Sequence, residues 1–126
     1  MASQRQSNKQ HVISTWDVFG NAVHMTQKTW DVKRDRHPEI LPLFPDEIEK
    51  TVQEPEFYRH STAEYAKADT ICFERTVSNT ADTLRVIVQY EDTTFLQGKT
   101  TGKITTVYPP NSSATKTLGP RIEIKK

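Results

Sequence analysis

Between Thr83 and Glu91 the chain alternates with a period of two. Leu84, Val86, Val88 and Tyr90 fall on one side, and Arg85, Ile87 and Gln89 on the other. Only an extended strand places residues i, i+2 and i+4 on one face, so this stretch commits the chain to a sheet with an apolar side. Such a side has to be covered. With 126 residues the chain suits one domain with its own core, and at 34% hydrophobic content that core is small relative to the surface.

Other segments supply further strands and the cover. Val12 to Phe19 is rich in β-branched and aromatic residues, followed by a Gly20-Asn21 turn and a short extended piece, Ala22 to Met25. Thr26 is placed to cap a helix over Gln27 to Arg36, and Pro38 disfavours helical geometry at His37 and stops it. After the apolar linker Leu41 to Phe44, Pro45 to Val52 reads as a second helix. It has proline at its start, acids in its first turn, and Phe44, Ile48 and Val52 along one stripe. Glu56 to Arg59, Thr70 to Val77 and Gly102 to Tyr108 continue the sheet, with Asn79 to Asp82 as a hairpin connection. Asn111 to Pro120 reads as a loop and Arg121 to Ile124 as a short edge strand. The expected fold is α+β, two N-terminal helices packed on one face of a four- to five-stranded antiparallel sheet. Residues 1–10 are polar without periodicity and are expected to form a disordered tail, leaving 11–126 as a single domain.

Composition narrows the function. Cys72 is the only cysteine, which excludes an internal disulfide and a cysteine-rich zinc site. No apolar run approaches the roughly 18 residues of a spanning helix, and the polar start is no signal peptide, so a cytoplasmic protein with no membrane partner is expected. The histidines lack metal-ligand spacing, and neither a phosphate loop nor a dinucleotide glycine pattern occurs, so no metal and no cofactor are expected. The net charge is only +1, but it is unevenly placed. Residues 97–126 hold Lys99, Lys103, Lys116, Arg121, Lys125 and Lys126 against Glu123, whereas residues 44–56 hold five acids against Lys50. Such a two-sided molecule can orient a polyanion.

Arg36-His37-Pro38-Glu39 at a helix end is similar to the phage-associated nuclease-like domains of the barnase–EndoU–colicin–RelE superfamily. The likeness extends through Val23-His24-Met25-Thr26, Trp30, Ile48 to Pro55, Phe57-Tyr58-Arg59, Leu84 to Val88 and Ile104 to Tyr108. The resemblance implies a metal-independent endoribonuclease fold that cleaves RNA by attack of the ribose 2′-hydroxyl, often in toxins or phage proteins that meet a protein inhibitor or antitoxin. The family's pattern places a histidine just after the tryptophan, where this chain has Asp31. That departure opens the alternative of a non-catalytic member acting as a protein- or nucleotide-binding module.

Metal-free RNA cleavage needs a proton acceptor, a proton donor and cations to stabilise the charged phosphorane. His37 is the candidate for proton transfer, since imidazole titrates near neutral pH. Arg36 and Arg85 are the candidates for charge stabilisation, and Thr106 and Tyr108 for positioning the phosphate. Arg34, Tyr58, Lys103 and Thr105 are candidates for substrate binding, Tyr58 by stacking on a base or donating to the phosphate. Each has a bland counterpart. The dipole of the first helix by itself favours Lys33, Arg34 and Arg36 in its last turn, and strand aromatics commonly serve only in packing.

Overall fold

In a computed structural model, the structure describes residues 11–36, 46–61, 69–76, 83–108 and 119–124. Among these residues seven strands form one sheet: β1 (His11–Trp16), β2 (Ala22–Thr26), β3 (Phe57–His60), β4 (Thr70–Thr76), β5 (Thr83–Tyr90), β6 (Thr101–Tyr108) and β7 (Ile122–Glu123). Their spatial order is β1-β2-β6-β5-β4-β3-β7. Helices α1 (Gln27–Arg36) and α2 (Asp46–Gln53) follow β2.

This corrects the expected architecture in three respects. Among the described residues the sheet has seven strands rather than four or five. It is mixed rather than antiparallel, because β2 runs parallel to β6 with Ala22 opposite Thr101 and His24 opposite Lys103. The helices are not N-terminal, since the β1–β2 hairpin precedes them. The reason is long-range pairing. A parallel pair needs a crossover of a dozen or more residues, and here α1, α2 and three strands lie between the partners. Nothing in the local pattern of Ala22–Thr26 reveals that partner.

The β5 alternation sets the inner face. Leu84, Val86, Val88 and Tyr90 stand beside Ile71 and Phe73 of β4 and Ile104 and Val107 of β6, all buried. Val23 and Met25 extend this face through β2, and Ile13 through β1. Trp30 of α1 and Ile48 and Val52 of α2 belong to the same buried cluster. Full burial of each such side chain is worth about 1.5–3 kcal/mol. Trp30 is the one buried residue among those described on α1, whose Val32 remains exposed. The cap of α1 is made by Thr26, whose Oγ1 accepts the Thr29 N–H at 3.1 Å. Glu47 in the first turn of α2 is ion-paired with Arg75 of β4, which ties that helix to the sheet. Among the described residues no helix is long and apolar enough to cross a membrane. The expected tail at 1–10 and the linker at 41–44 lie outside the described residues.

One buried polar knot holds the hairpin to the rest of the sheet. The Asp17 carboxylate accepts the backbone N–H groups of Phe19 (2.8 Å) and Asn21 (2.9 Å), which closes the β1–β2 turn. It also accepts the Asn21 side-chain amide at 2.9 Å and the Tyr90 hydroxyl from β5. Asn21 in turn donates to the Phe95 carbonyl at 2.7 Å and accepts the Thr100 N–H at 3.1 Å. Gly98, at φ +70°, follows the 3-10 turn Thr94–Gln97, and its backbone lies so close to the Phe19 carbonyl that a Cβ would meet that oxygen at 2.4 Å. A left-handed residue and a close backbone approach both call for glycine here.

Burial, followed by the neighbouring Asp17 carboxylate, holds the Tyr90 hydroxyl well above the usual phenol range, so it remains a donor. Tyr90→Phe is expected to cost roughly 1–3 kcal/mol in urea unfolding, because a buried carboxylate then lacks one donor. A loss below about 0.5 kcal/mol would show that the knot does not depend on this bond.

Candidate functional site

The other face of the sheet is polar and charged, and the register orders it in rows. Tyr108, Arg85, Glu74 and Phe57 lie opposite one another across β6, β5, β4 and β3, with Glu123 of β7 next in line. The adjacent row runs Thr106, Ile87, Cys72 and Arg59. Further along lies a third row of His24, Lys103, Gln89 and Thr70.

Glu74 is the centre of the first row. Its side chain is 1% exposed, and three guanidiniums converge on it. Arg85 Nε donates to Oε2 at 2.8 Å, Arg59 Nη1 to the same oxygen at 3.1 Å, and Arg121 Nε to Oε1 at 2.8 Å. Arg59 is also fixed by the Gly119 carbonyl at 2.7 Å, and Arg121 lies 5.2 Å from the centroid of the Phe57 ring. Burial, the largest single influence, would raise the Glu74 pKa. The hydrogen bonds from Arg85, Arg59 and Arg121, with the charge of Arg121, outweigh it and hold the carboxyl below the usual glutamate range. Three guanidiniums around one carboxylate leave a formal excess of two positive charges. Arg85 is nearly buried, whereas the Arg121 side chain is 49% exposed, so the excess reaches solvent through Arg121.

Several residues named from sequence meet on this face. Arg85 and Tyr108 are direct register partners, and Thr106 lies opposite Ile87. Thr105 is the extra residue of a bulge, since Val88 pairs with Ile104 and Ile87 with Thr106. Lys103 is exposed in the third row. Others do not join them. Tyr58 lies opposite Phe73 on the inner face, away from Arg85, and packs edge-on against Phe19 at 5.5 Å. Arg36 is exposed on α1, the helix whose Trp30 is buried in the inner core. The side chain of Arg34 and all of His37 lie outside the described residues.

Sequence reading missed Glu74, Arg59 and Arg121. The signal for Glu74 was present. It is a charge inside the apolar strand Thr-Ile-Cys-Phe-Glu-Arg, the same anomaly that singled out Arg85. Arg59 and Arg121 carry no such signal, because Arg59 lies on the short strand β3 and Arg121 just before β7, where an arginine is ordinarily solvated. Cys72, next to Glu74, is buried, and burial followed by the Glu74 charge pushes its thiol up to about 12. It is therefore no nucleophile. Among the described residues no group of three or more His, Cys, Asp or Glu side chains is arranged to hold a metal ion.

Comparison with family models, curated proteins and solved structures finds no match for this chain.

Glu74→Gln is expected to destabilise the fold by roughly 3–5 kcal/mol, because it strands buried guanidinium charge. The depressed carboxyl pKa also fixes the sign of the acid response. Its stabilisation is complete above the unfolded glutamate value of about 4.3 and is lost as pH falls through the lower folded value. The urea midpoint should thus fall more steeply below about pH 4 in wild type than in Glu74→Gln. For Cys72, a thiol reagent at neutral pH should leave the native protein unmodified and react fully once denaturant is added. Rapid native labelling would contradict the burial of this thiol.

Proposed function

We propose that the protein binds single-stranded RNA along the charged sheet face, as a ribonuclease-like domain that seats a backbone phosphate beside the exposed Arg121, with Arg85 and Tyr108 in the same row. The observation that carries this reading is the convergence of Arg59, Arg85 and Arg121 on the single carboxylate of Glu74. A carboxylate of this kind positions guanidiniums without cancelling them, and planar guanidinium forks match phosphate oxygens. Lys103, in the third row, extends the positive charge along β6, and the exposed Trp16 adds an aromatic surface on the same face. Cations that track a backbone together with aromatic platforms are what single-strand binding requires.

Cleavage by 2′-hydroxyl attack needs more than this. A proton acceptor and donor must stand at the same phosphate. Glu74 is ill suited as the acceptor, because three guanidiniums hold it ionised and bury both oxygens. His37 is the residue assigned to proton transfer. Incubation of RNA with the protein in EDTA, with His37→Ala alongside, tests the catalytic half. Products ending in cyclic 2′,3′-phosphate from wild type and none from the variant support it. Intact RNA in both leaves the protein a binding module.

The binding half is tested by fluorescence anisotropy with a labelled single-stranded RNA across a salt series. Arg121→Ala should weaken binding and reduce the slope of log affinity against log salt by about 0.7, the share of one phosphate contact. Lys50→Ala, on α2 against the inner face, should leave both unchanged. Equal losses in the two variants would show that general charge, and not this face, holds the RNA.

A further inference from the structure

The sheet ends on two very different edges. At one end stands β7, two residues long, with Arg121 just before it and Glu123 within it. Short, charged edges resist pairing with another chain. At the other end stands β1, six residues long, and His11 to Trp16 contains no acid, lysine, arginine or proline. A register shift between His11 and Ile13 leaves residues 13–16 as its regular part. Trp16, which closes it, is 65% exposed. Among the described residues no strand lies beyond β1.

Hydrogen-bond parity identifies the backbone groups that face outward. The Asp17 N–H donates to the Asn21 carbonyl at 2.9 Å, so Asp17 and Asn21 form a bonded pair. Bonded and non-bonded pairs alternate along an antiparallel ladder. Trp16–Ala22 and Ser14–His24 are therefore non-bonded pairs, whereas Thr15–Val23 is bonded. The N–H and C=O of Ser14 and Trp16 thus point away from β2, where no described strand meets them. The side chains of both residues are exposed, on the charged face.

We propose that β1 is a homodimer interface, at which two copies pair their β1 strands antiparallel about a two-fold axis and join their sheets edge to edge. The occupant is a second copy because this edge is complementary to itself. Its outward groups recur two residues apart, so a register centred on Thr15 sets Ser14 of each copy opposite Trp16 of the other. Both become bonded pairs, and every outward N–H and C=O of these residues is matched. The small Ser14 leaves room for the opposing indole to lie across the strand. A two-fold axis also sets a strand against its own copy, so any charge on it would meet its like. Residues 12–16 carry none, and a net charge of +1 leaves little repulsion between whole molecules. The inference stands apart from the RNA-binding reading.

Light scattering after size-exclusion chromatography, over a concentration series into the submillimolar range, should show a mass rising towards twice the 14.5 kDa of one chain. Ser14→Pro removes an outward donor and no bond to β2, a change that edge strands tolerate. It should keep the wild-type circular dichroism and urea midpoint and stay at the mass of one chain. Should it fail to fold, Ser14→Lys at the same exposed position takes its place, since two added cations flanking the axis should also abolish the dimer. Thr15→Cys tests the register. The two Thr15 residues meet at the axis as a non-bonded pair with Cα atoms about 4.5 Å apart, within disulfide reach. Oxidation should link this variant into a covalent dimer and leave wild type, whose Cys72 is buried, unlinked. A wild type that stays at the mass of one chain throughout overturns the proposal. So does a dimer that persists in folded Ser14→Pro, or one that oxidised Thr15→Cys fails to link.

Discussion

The fold depends on the Asp17 carboxylate. It is the point at which the N-terminal hairpin, the end of β5 and the approach to β6 are joined through Asn21, Tyr90 and the Phe95 and Thr100 backbone. Parallel pairing of β2 with β6 closes a loop of more than seventy residues, and its entropic cost has to be offset by contacts at the junction. Few strand hydrogen bonds are available there, because β2 is short. A buried carboxylate with four donors around it supplies directional contacts at that place, and the stacked rings of Tyr90 and Phe95, 5.2 Å apart, shield it from water.

The same device appears on the opposite face with another outcome. Around Asp17 the donors are neutral and the knot is closed. Around Glu74 the donors are guanidiniums, so satisfying the carboxylate gathers more charge than it neutralises. Burying ions is costly unless each is paired and hydrogen-bonded, and Glu74 meets that condition with both oxygens. Arg85 does the structural part of this pairing from within the sheet. Arg121, just before the short outer strand β7, does so from the edge and remains open to solvent. The proposed phosphate seat is thus a by-product of how a charged row is accommodated in a strand-rich sheet.

Part of this charged face was readable one residue at a time. Arg85 stood out as a charge among apolar neighbours, and Tyr108, Thr106 and Lys103 lie on the strand that pairs with it. The facing of Tyr58 was not legible, because an aromatic in a four-residue strand has no clear alternation, and pairing with Phe73 turns it inward. The bulge at Thr105 was likewise invisible, since it exists only as a mismatch between β5 and β6.

What the sequence by itself determined is local: the strand at Thr83–Tyr90 and its apolar side, the Thr26 cap, and the buried stripe of Ile48 and Val52. These follow from periodicity and capping, which act over a few residues. The tertiary structure alone decided the seven-stranded order, the parallel β2–β6 pair, and the meeting of Arg59, Arg85 and Arg121 on Glu74. Those residues are brought together by sheet register between distant segments, and register is set by the pairing of whole strands rather than by any short stretch of chain.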